Sequence, residues 1–313
     1  MLCLDKVKII TSINNIKDIN EDIFQTNIIG GVLQYHKYQQ KKPSSLLIMN
    51  NYEKNELVIE FTSKILKDNF IHLINKNNIH ECFSNINQLN ICTLDIDNIL
   101  NNSEIVKCDP VKDITFHEDM KVLKNHTNSN LSNYDKWKSK SYPNGFTVEK
   151  TVSTSRNKHR IVVYGKAKEL GMKDNKPFLD TLSNKEKCLS HYEDKIRIEL
   201  NINTKSQIRE LLNISDNQLM SVLNSNANPI LTVLNKAIKE TNVNTNVIHT
   251  FKEYQLDLVL KDCDYNLGKV EAKIRSLYSK NTQIVKLMKP YRELHYRLFN
   301  NMVPAFDMRK LVV

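Results

Sequence analysis

The chain has 313 residues, a formal charge of +10 and a composition that is 40% hydrophobic and 26% charged. That balance is globular, suits one large domain or two ordinary ones, and excludes a disordered or fibrous chain. No run of about eighteen apolar residues occurs, which excludes a membrane-spanning helix.

The first residues, MLCLDKVKIITSINN, lack the apolar core and small-residue cleavage site of a secretory leader, so a cytoplasmic protein is expected. Six cysteines form no C-x-x-C pair. Neither a zinc knuckle nor a disulfide frame follows, and reduced, buried thiols are expected. The basic excess favours a polyanionic partner.

Residues 1–100 read as mixed strands and helices. SLLIMNN and ELVIEFTS predict two strands of a hairpin around YEKN, with Leu57, Ile59 and Phe61 on one face and Val58 and Glu60 on the other. Residues 69–89 carry helical spacing with a polar interruption. Residues 104–117 predict a strand placing Lys107, Asp109, Asp113 and His117 on one side and Cys108, Ile114 and Phe116 on the other. Pro110 lacks a ladder donor and suggests an edge strand or a bulge. Residues 121–144 are polar and read as a surface loop or short helix, with Trp137 between Lys136 and Lys138 over a bound strand. Residues 146–152 and 159–166 predict a hairpin around STSRNK, and residues 172–192 a lysine-rich linker or helix. KIRIELNI, residues 195–202, alternates cleanly as a strand. After Thr204 the apolar spacing becomes three and four, predicting helices.

These strands share a pattern: each has an apolar face and a charged one. Paired in one sheet, they gather Glu60, Asp109, Asp113, Arg197 and Glu199 with Arg160, Tyr164 and Lys166. Carboxylates on adjacent strands suit a hard cation such as Mg²⁺ or Mn²⁺, which would polarise a phosphodiester. At pH 7 about one phenol in a thousand is ionised, and a cation such as Lys166 or the metal favours the phenolate. Phenolate attack on the phosphodiester leaves a 5′-phosphotyrosyl link and a free 3′-hydroxyl. The plainer readings are a packed tyrosine, an Arg197–Glu199 surface pair and an Asp109 that opens a turn.

Four segments in order, VIEFTSKIL (58–66), VKCD (106–109), HRIVVYGKAKEL (159–170) and IRIEL (196–200), resemble the replication initiators of filamentous phages of the gene II type and the related plasmid rolling-circle initiators. The resemblance spans about residues 50–215. It implies that Tyr164 attacks DNA, followed by Lys166 and Glu169, and that Asp109 and Glu199 serve the metal or phosphate site beside Arg197. Lys107 and Cys108 depart from the family pattern, and Asp113 is a second acid of the same strand parity. No His-hydrophobic-His pair occurs.

The expectation is an α+β fold: a central antiparallel sheet with helices packed on one face in residues 1–204, and a helical, basic region in 205–313. The expected activity is tyrosine-dependent nicking and joining that starts and ends rolling-circle replication of a phage or plasmid in a bacterial host. Tyr164, Lys166 and Glu169 would act in catalysis, Asp109, Glu199 and Asp113 in holding Mg²⁺ or Mn²⁺, and Arg160, Arg197, Lys107, Arg156 and Lys158 on DNA. The partners implied are supercoiled duplex and single-stranded origin DNA with a host helicase and polymerase, and no membrane or small-molecule substrate. In the tail, Lys273, Arg275, Lys280, Lys286, Lys289, Arg292 and Arg297 suit phosphate contact. Tyr278, Tyr291 and Tyr296 suit the helical core better than base stacking. The competing classes are a catalytically inactive DNA-binding regulator and an RNA-binding module.

Overall fold

Alternation along a strand needs partners on both sides to become a sheet, and here it finds them across nearly the whole chain. The computed structural model describes residues 1–131, 137–151, 158–238, 248, 250–264, 266–300 and 307–313. Its strands are β1 (Leu4–Ser12), β2 (Ile16–Ile19), β3 (Gln25–Ile29), β4 (Val32–Gln40), β5 (Leu46–Asn51), β6 (Glu56–Thr62), β7 (Cys92–Leu94), β8 (Glu104–Thr115), β9 (Trp137–Tyr142), β10 (Gly145–Lys150), β11 (Arg160–Gly165) and β12 (Lys195–Asn201). Ten form one sheet in the order β3-β4-β5-β6-β1-β8-β12-β11-β10-β9, and β2 and β7 form a small ribbon. Every pairing is antiparallel. The fold is α+β, as expected.

The β5–β6 hairpin forms as read, with Leu57, Ile59 and Phe61 fully buried. The same face continues through Val7 and Ile9 of β1, Ile161 and Val163 of β11, and Ile196, Ile198 and Leu200 of β12. Helices Lys205–Leu212, Leu219–Leu223 and Pro229–Ala237 pack on β8 and β12.

Pro110 does not sit on an edge. β8 is central, pairing β1 along its first half and β12 along its second. The bulge is present instead: a register shift falls between Leu4 and Lys6, where Leu4 pairs Pro110. A residue without an N–H is tolerated where the ladder is already interrupted.

Residues 121–144 bear out the short helix, which spans Met120–Asn130, but then add β9 at the sheet edge, which was not expected. Trp137 is buried and stacks on His159 with centroids 6.5 Å apart, so it is not a loop residue over a ligand. Lys136 lies outside the described residues.

The chain divides into two compact units, Met1–Lys239 with Met308–Val313, and Glu240–Asp307. The helices after Thr204 are thus shared between them. The second unit packs helices Phe251–Asp262, Leu267–Leu277 and Asn281–Asn300 around Leu260, Val270, Ile284, Met288 and Leu294. Tyr291 packs against that core, as read, whereas Tyr278 is exposed. Of the tail cations, Lys273, Arg275, Lys289, Arg292 and Arg297 form ion pairs within the unit.

The six cysteines are all free, five of them buried. Among the described residues, no helix is long and apolar enough to cross a membrane.

Candidate functional site

Register decides which side chains meet. Tyr164 on β11 faces Gly145 on β10 and Arg197 on β12, and Arg197 faces Asp113 on β8. One pleat along, Thr147, Val162, Glu199 and Val111 form the next row, and Glu149, Arg160 and Asn201 the row after that. All of these lie on the face opposite the apolar core. Gly145 is required there: a Cβ would come within 2.0 Å of the Val163 carbonyl oxygen and 2.9 Å of Tyr164 Cα. The Tyr142 hydroxyl lies 2.9 Å from that position and donates to the same carbonyl at 3.0 Å, so its ring covers the glycine.

Tyr164 Oη donates a short hydrogen bond to Glu199 Oε1. Burial and the negative charges of Glu199 and Asp5 push the phenol well above its ordinary range, and Arg197 opposes them only in part. A neighbouring cation, Arg197, does pull the phenol down, but burial and the carboxylates outweigh it. The local cations are already engaged. Lys166 donates to Glu169 at 2.8 Å, while Arg197 holds Asp113 through two 2.7 Å bonds and Asp5 through a third. Burial raises the Glu199 carboxyl to about 7, with Asp5 adding to the rise. Glu199 is thus a carboxylate whose affinity for a proton suits the role of base near neutral pH.

Lys166 is 2% exposed. It opens the helix Lys166–Leu170 rather than extending the strand, yet its ammonium lies 5.6 Å from the Tyr164 ring centroid and 5.2 Å from that of Phe70. Glu169 takes a second bond from Asn175 Nδ2 at 2.7 Å, and Lys64 donates to Asn175 Oδ1 at 2.5 Å. A small apolar cluster of Phe70, Leu170, Phe178, Cys188 and Tyr192 roofs this end of the polar face. Asp5, Asp113, Glu169 and Glu199 surround Lys64, Lys166 and Arg197. Four carboxylates against three cations leave one negative charge uncompensated, which adds to the larger effect of burial on Glu199.

The sequence-predicted residues distribute unevenly. Tyr164, Lys166, Glu169, Glu199, Asp113 and Arg197 come together. Arg197 has no exposure, so it is an internal counter-charge and not a DNA contact. Lys107 lies six residues along β8 from Asp113, about 20 Å in a strand, and is exposed. Arg160 and Lys158 line an open groove beside the site. Arg156 lies outside the described residues. Asp5, Ser63, Lys64, Phe70, Asn175 and Tyr192 were not singled out from the sequence. Asp5, which accepts from Ser63 Oγ at 2.8 Å, sits at the register shift in β1, where alternation gives no guide to the direction of a side chain.

The expected metal trio does not assemble. Among the described residues, no three of His, Cys, Asp and Glu converge, and both oxygens of Asp113 are bound by Arg197. Asp109 differs. Burial raises its carboxyl to about 6, and Asn201 Nδ2 donates to it at 3.1 Å. Asp109 alone could supply one oxygen ligand to a hard cation, the rest of whose shell would come from water and phosphate.

No family model matches the chain, and comparison with curated proteins gives no match. Among solved structures, a rolling circle replication initiator protein from Geobacillus stearothermophilus is similar at 12% identity and a TM-score of 0.38, over 78% of this chain and 89% of that one. A likeness so distant bears no weight on function.

Proposed function

We propose that the chain is a nicking-and-joining enzyme that starts rolling-circle replication of a phage or plasmid, with Tyr164 as nucleophile and Glu199 as its base. The observation that carries this reading is the hydrogen bond from Tyr164 Oη to Glu199 Oε1, set between Lys166 and Arg197 on the polar face of the sheet. In the first step the phenol oxygen bonds to the scissile phosphorus, its proton passes to Glu199, and the 3′-oxygen leaves, taking a proton from Glu199 or water to become a 3′-hydroxyl. The 5′-phosphate remains on Tyr164. Attack by a 3′-hydroxyl reverses the step and restores the phenol, so joining needs no external energy.

Lys166 and Glu169 act as a held pair. The buried ammonium faces the charge that builds on the phosphate, and the carboxylate keeps it in place. Arg197, fixed by Asp5 and Asp113, positions Tyr164 from the neighbouring strand. Mg²⁺ or Mn²⁺ at Asp109 would supply further neutralisation of the phosphate when bound. The basic helical region supplies duplex contacts, and a host helicase and polymerase would extend the 3′ end in the cytoplasm of the host.

The test is a denaturing gel of the full chain with Mg²⁺ or Mn²⁺ and single-stranded oligonucleotides tiling the replicon that carries the gene. A covalent protein–DNA band is expected, absent for Tyr164→Phe while binding persists. A band that survives Tyr164→Phe overturns the assignment. Binding with no band from either protein makes the chain an inactive regulator.

A further inference from the structure

The leaving 3′-oxygen needs a proton, and its position decides which group gives it best. Displacement at phosphorus runs in line, so that oxygen lies across the phosphorus from the phenol. Glu199 is bonded to the phenol itself, in the row one pleat away from the apolar roof. The roof is the other side, and it holds an ammonium group. Lys64, in the short helix after β6, is partly exposed and lies 5.5 Å from the Phe178 ring centroid, itself 4.9 Å from that of Phe70. A chain of contacts joins it to the nucleophile's neighbour: Lys166 donates to Glu169, Asn175 donates to Glu169, and Lys64 donates to Asn175 Oδ1 at 2.5 Å. The two lysines differ in one respect. Lys166 is paired with a carboxylate, whereas Lys64 forms no ion pair among the described residues and leans on a neutral amide. Two of its three N–H bonds meet no protein acceptor among those residues. Burial weakens its hold on its proton, with Lys166 and Arg197 adding to the effect and Glu169 and Asp5 opposing it only in part.

We propose that Lys64 is the general acid that hands its proton to the leaving 3′-oxygen. The proposal rests on the reading of Tyr164 as nucleophile. As the phenol oxygen bonds to phosphorus and its proton passes to Glu199, the bond from phosphorus to the 3′-oxygen breaks. That oxygen keeps the electron pair and takes a proton from Lys64 Nζ, which is left as a neutral amine. In joining, the amine takes the proton back from the 3′-hydroxyl as that oxygen attacks the phosphotyrosine, and Glu199 returns its proton to the phenol. No proton is exchanged with solvent, so cleavage leaves the site set for its own reversal.

The test uses the full chain and the oligonucleotide that yields the covalent band, remade with sulfur in place of the bridging 3′-oxygen at the scissile phosphate. A thiol is a far stronger acid than an alcohol, so the sulfur leaves as thiolate and needs no donated proton. Single-turnover rate constants for adduct formation are compared on the two substrates, since their ratio does not depend on the fraction of protein that is folded. Lys64→Met should slow the oxygen substrate about 100-fold and the sulfur substrate by no more than about threefold. Lys64→Arg keeps the charge but holds its proton, so it should stay slow on oxygen and run near the parent rate on sulfur. Equal slowing of both substrates by Lys64→Met overturns the proposal, because the lysine then acts by charge or by packing. Recovery of the oxygen rate by Lys64→Arg overturns it too. The two readings fail separately. A parent chain that forms the adduct, with Lys64→Met slowed alike on both substrates, removes the acid alone. A parent chain that forms no adduct on either substrate removes the nucleophile.

Discussion

Replacing Arg197 with methionine keeps much of the side chain's bulk and removes its charge. The guanidinium has no exposure and makes four hydrogen bonds: two to Asp113 and one to Asp5 at 2.7 Å, and one to Tyr192 Oη at 3.2 Å. Its loss leaves two largely buried aspartates facing each other without the counter-charge they share, with only the lysines near Asp5 remaining. Breaking a buried pair in this way costs about 3–5 kcal/mol, a large share of the 5–15 kcal/mol that holds an ordinary domain. For a unit of this size that corresponds to a fall in melting temperature of roughly 10 °C. Urea denaturation followed by circular dichroism would read the loss as a lower midpoint. Arg197→Lys should fall between the two, because an ammonium cannot bind Asp113 through two parallel bonds. Adding Asp5→Asn and Asp113→Asn to Arg197→Met should recover part of the loss, since the cost lies in the abandoned charges. Stability of Arg197→Met within about 1 kcal/mol of the parent would refute the reasoning, as would a triple variant less stable than the single one.

Gly145→Ala forces a Cβ against the Val163 carbonyl, a backbone atom that cannot swing away, and should cost about 2 kcal/mol or more in the same assay. Burial pushes the Glu149 carboxyl up, but Lys158 and Lys140 together hold it down at about 2 against an ordinary 4.5. Its contribution is therefore complete above pH 4.5 and is lost as pH falls through 2. With the lysines partly solvated, about 1–2 kcal/mol is at stake. Glu149→Gln should remove that part of the acid sensitivity, and identical acid-unfolding curves for the two proteins would refute the assignment. In the proposed reaction Glu199 must be ionised to take the Tyr164 proton, and burial raises its carboxyl to about 7. Adduct formation should thus climb about tenfold between pH 6 and pH 8. A flat profile would show that another group accepts the proton.

Much of the sheet was legible because alternation survives burial on one face. The β5–β6 hairpin, β8, β11 and β12 all follow from it. β9 escapes because WKSKSY sits on an edge, where polar residues are tolerated on both faces. β1 carries the same signal, Val7 and Ile9 against Lys6 and Lys8, but adds Asp5 at a register shift that no local pattern reveals. The pairing of Tyr164 with Glu199 was readable as two same-face residues on neighbouring strands. The state of the phenol was not. It depends on where the charges of Arg197 and Lys166 are directed, and that is set by Asp113, Asp5 and Glu169 through contacts that only the assembled sheet creates. Lys64, Asn175 and Tyr192 belong to the same class, drawn in from segments with no sequence proximity to the strands they serve.

The return of residues 308–313 to the first unit has an architectural consequence. Ile238 bridges Leu131, and Met308 sits buried with its sulfur 3.9 Å from Thr127 Oγ1. Departure and re-entry therefore fall about one helical turn apart, on a single stretch of the host fold. The intervening residues 240–307 form the second compact unit. A short linker could stand in their place and leave the sheet's own unit closed by its last helix, Met308–Leu311.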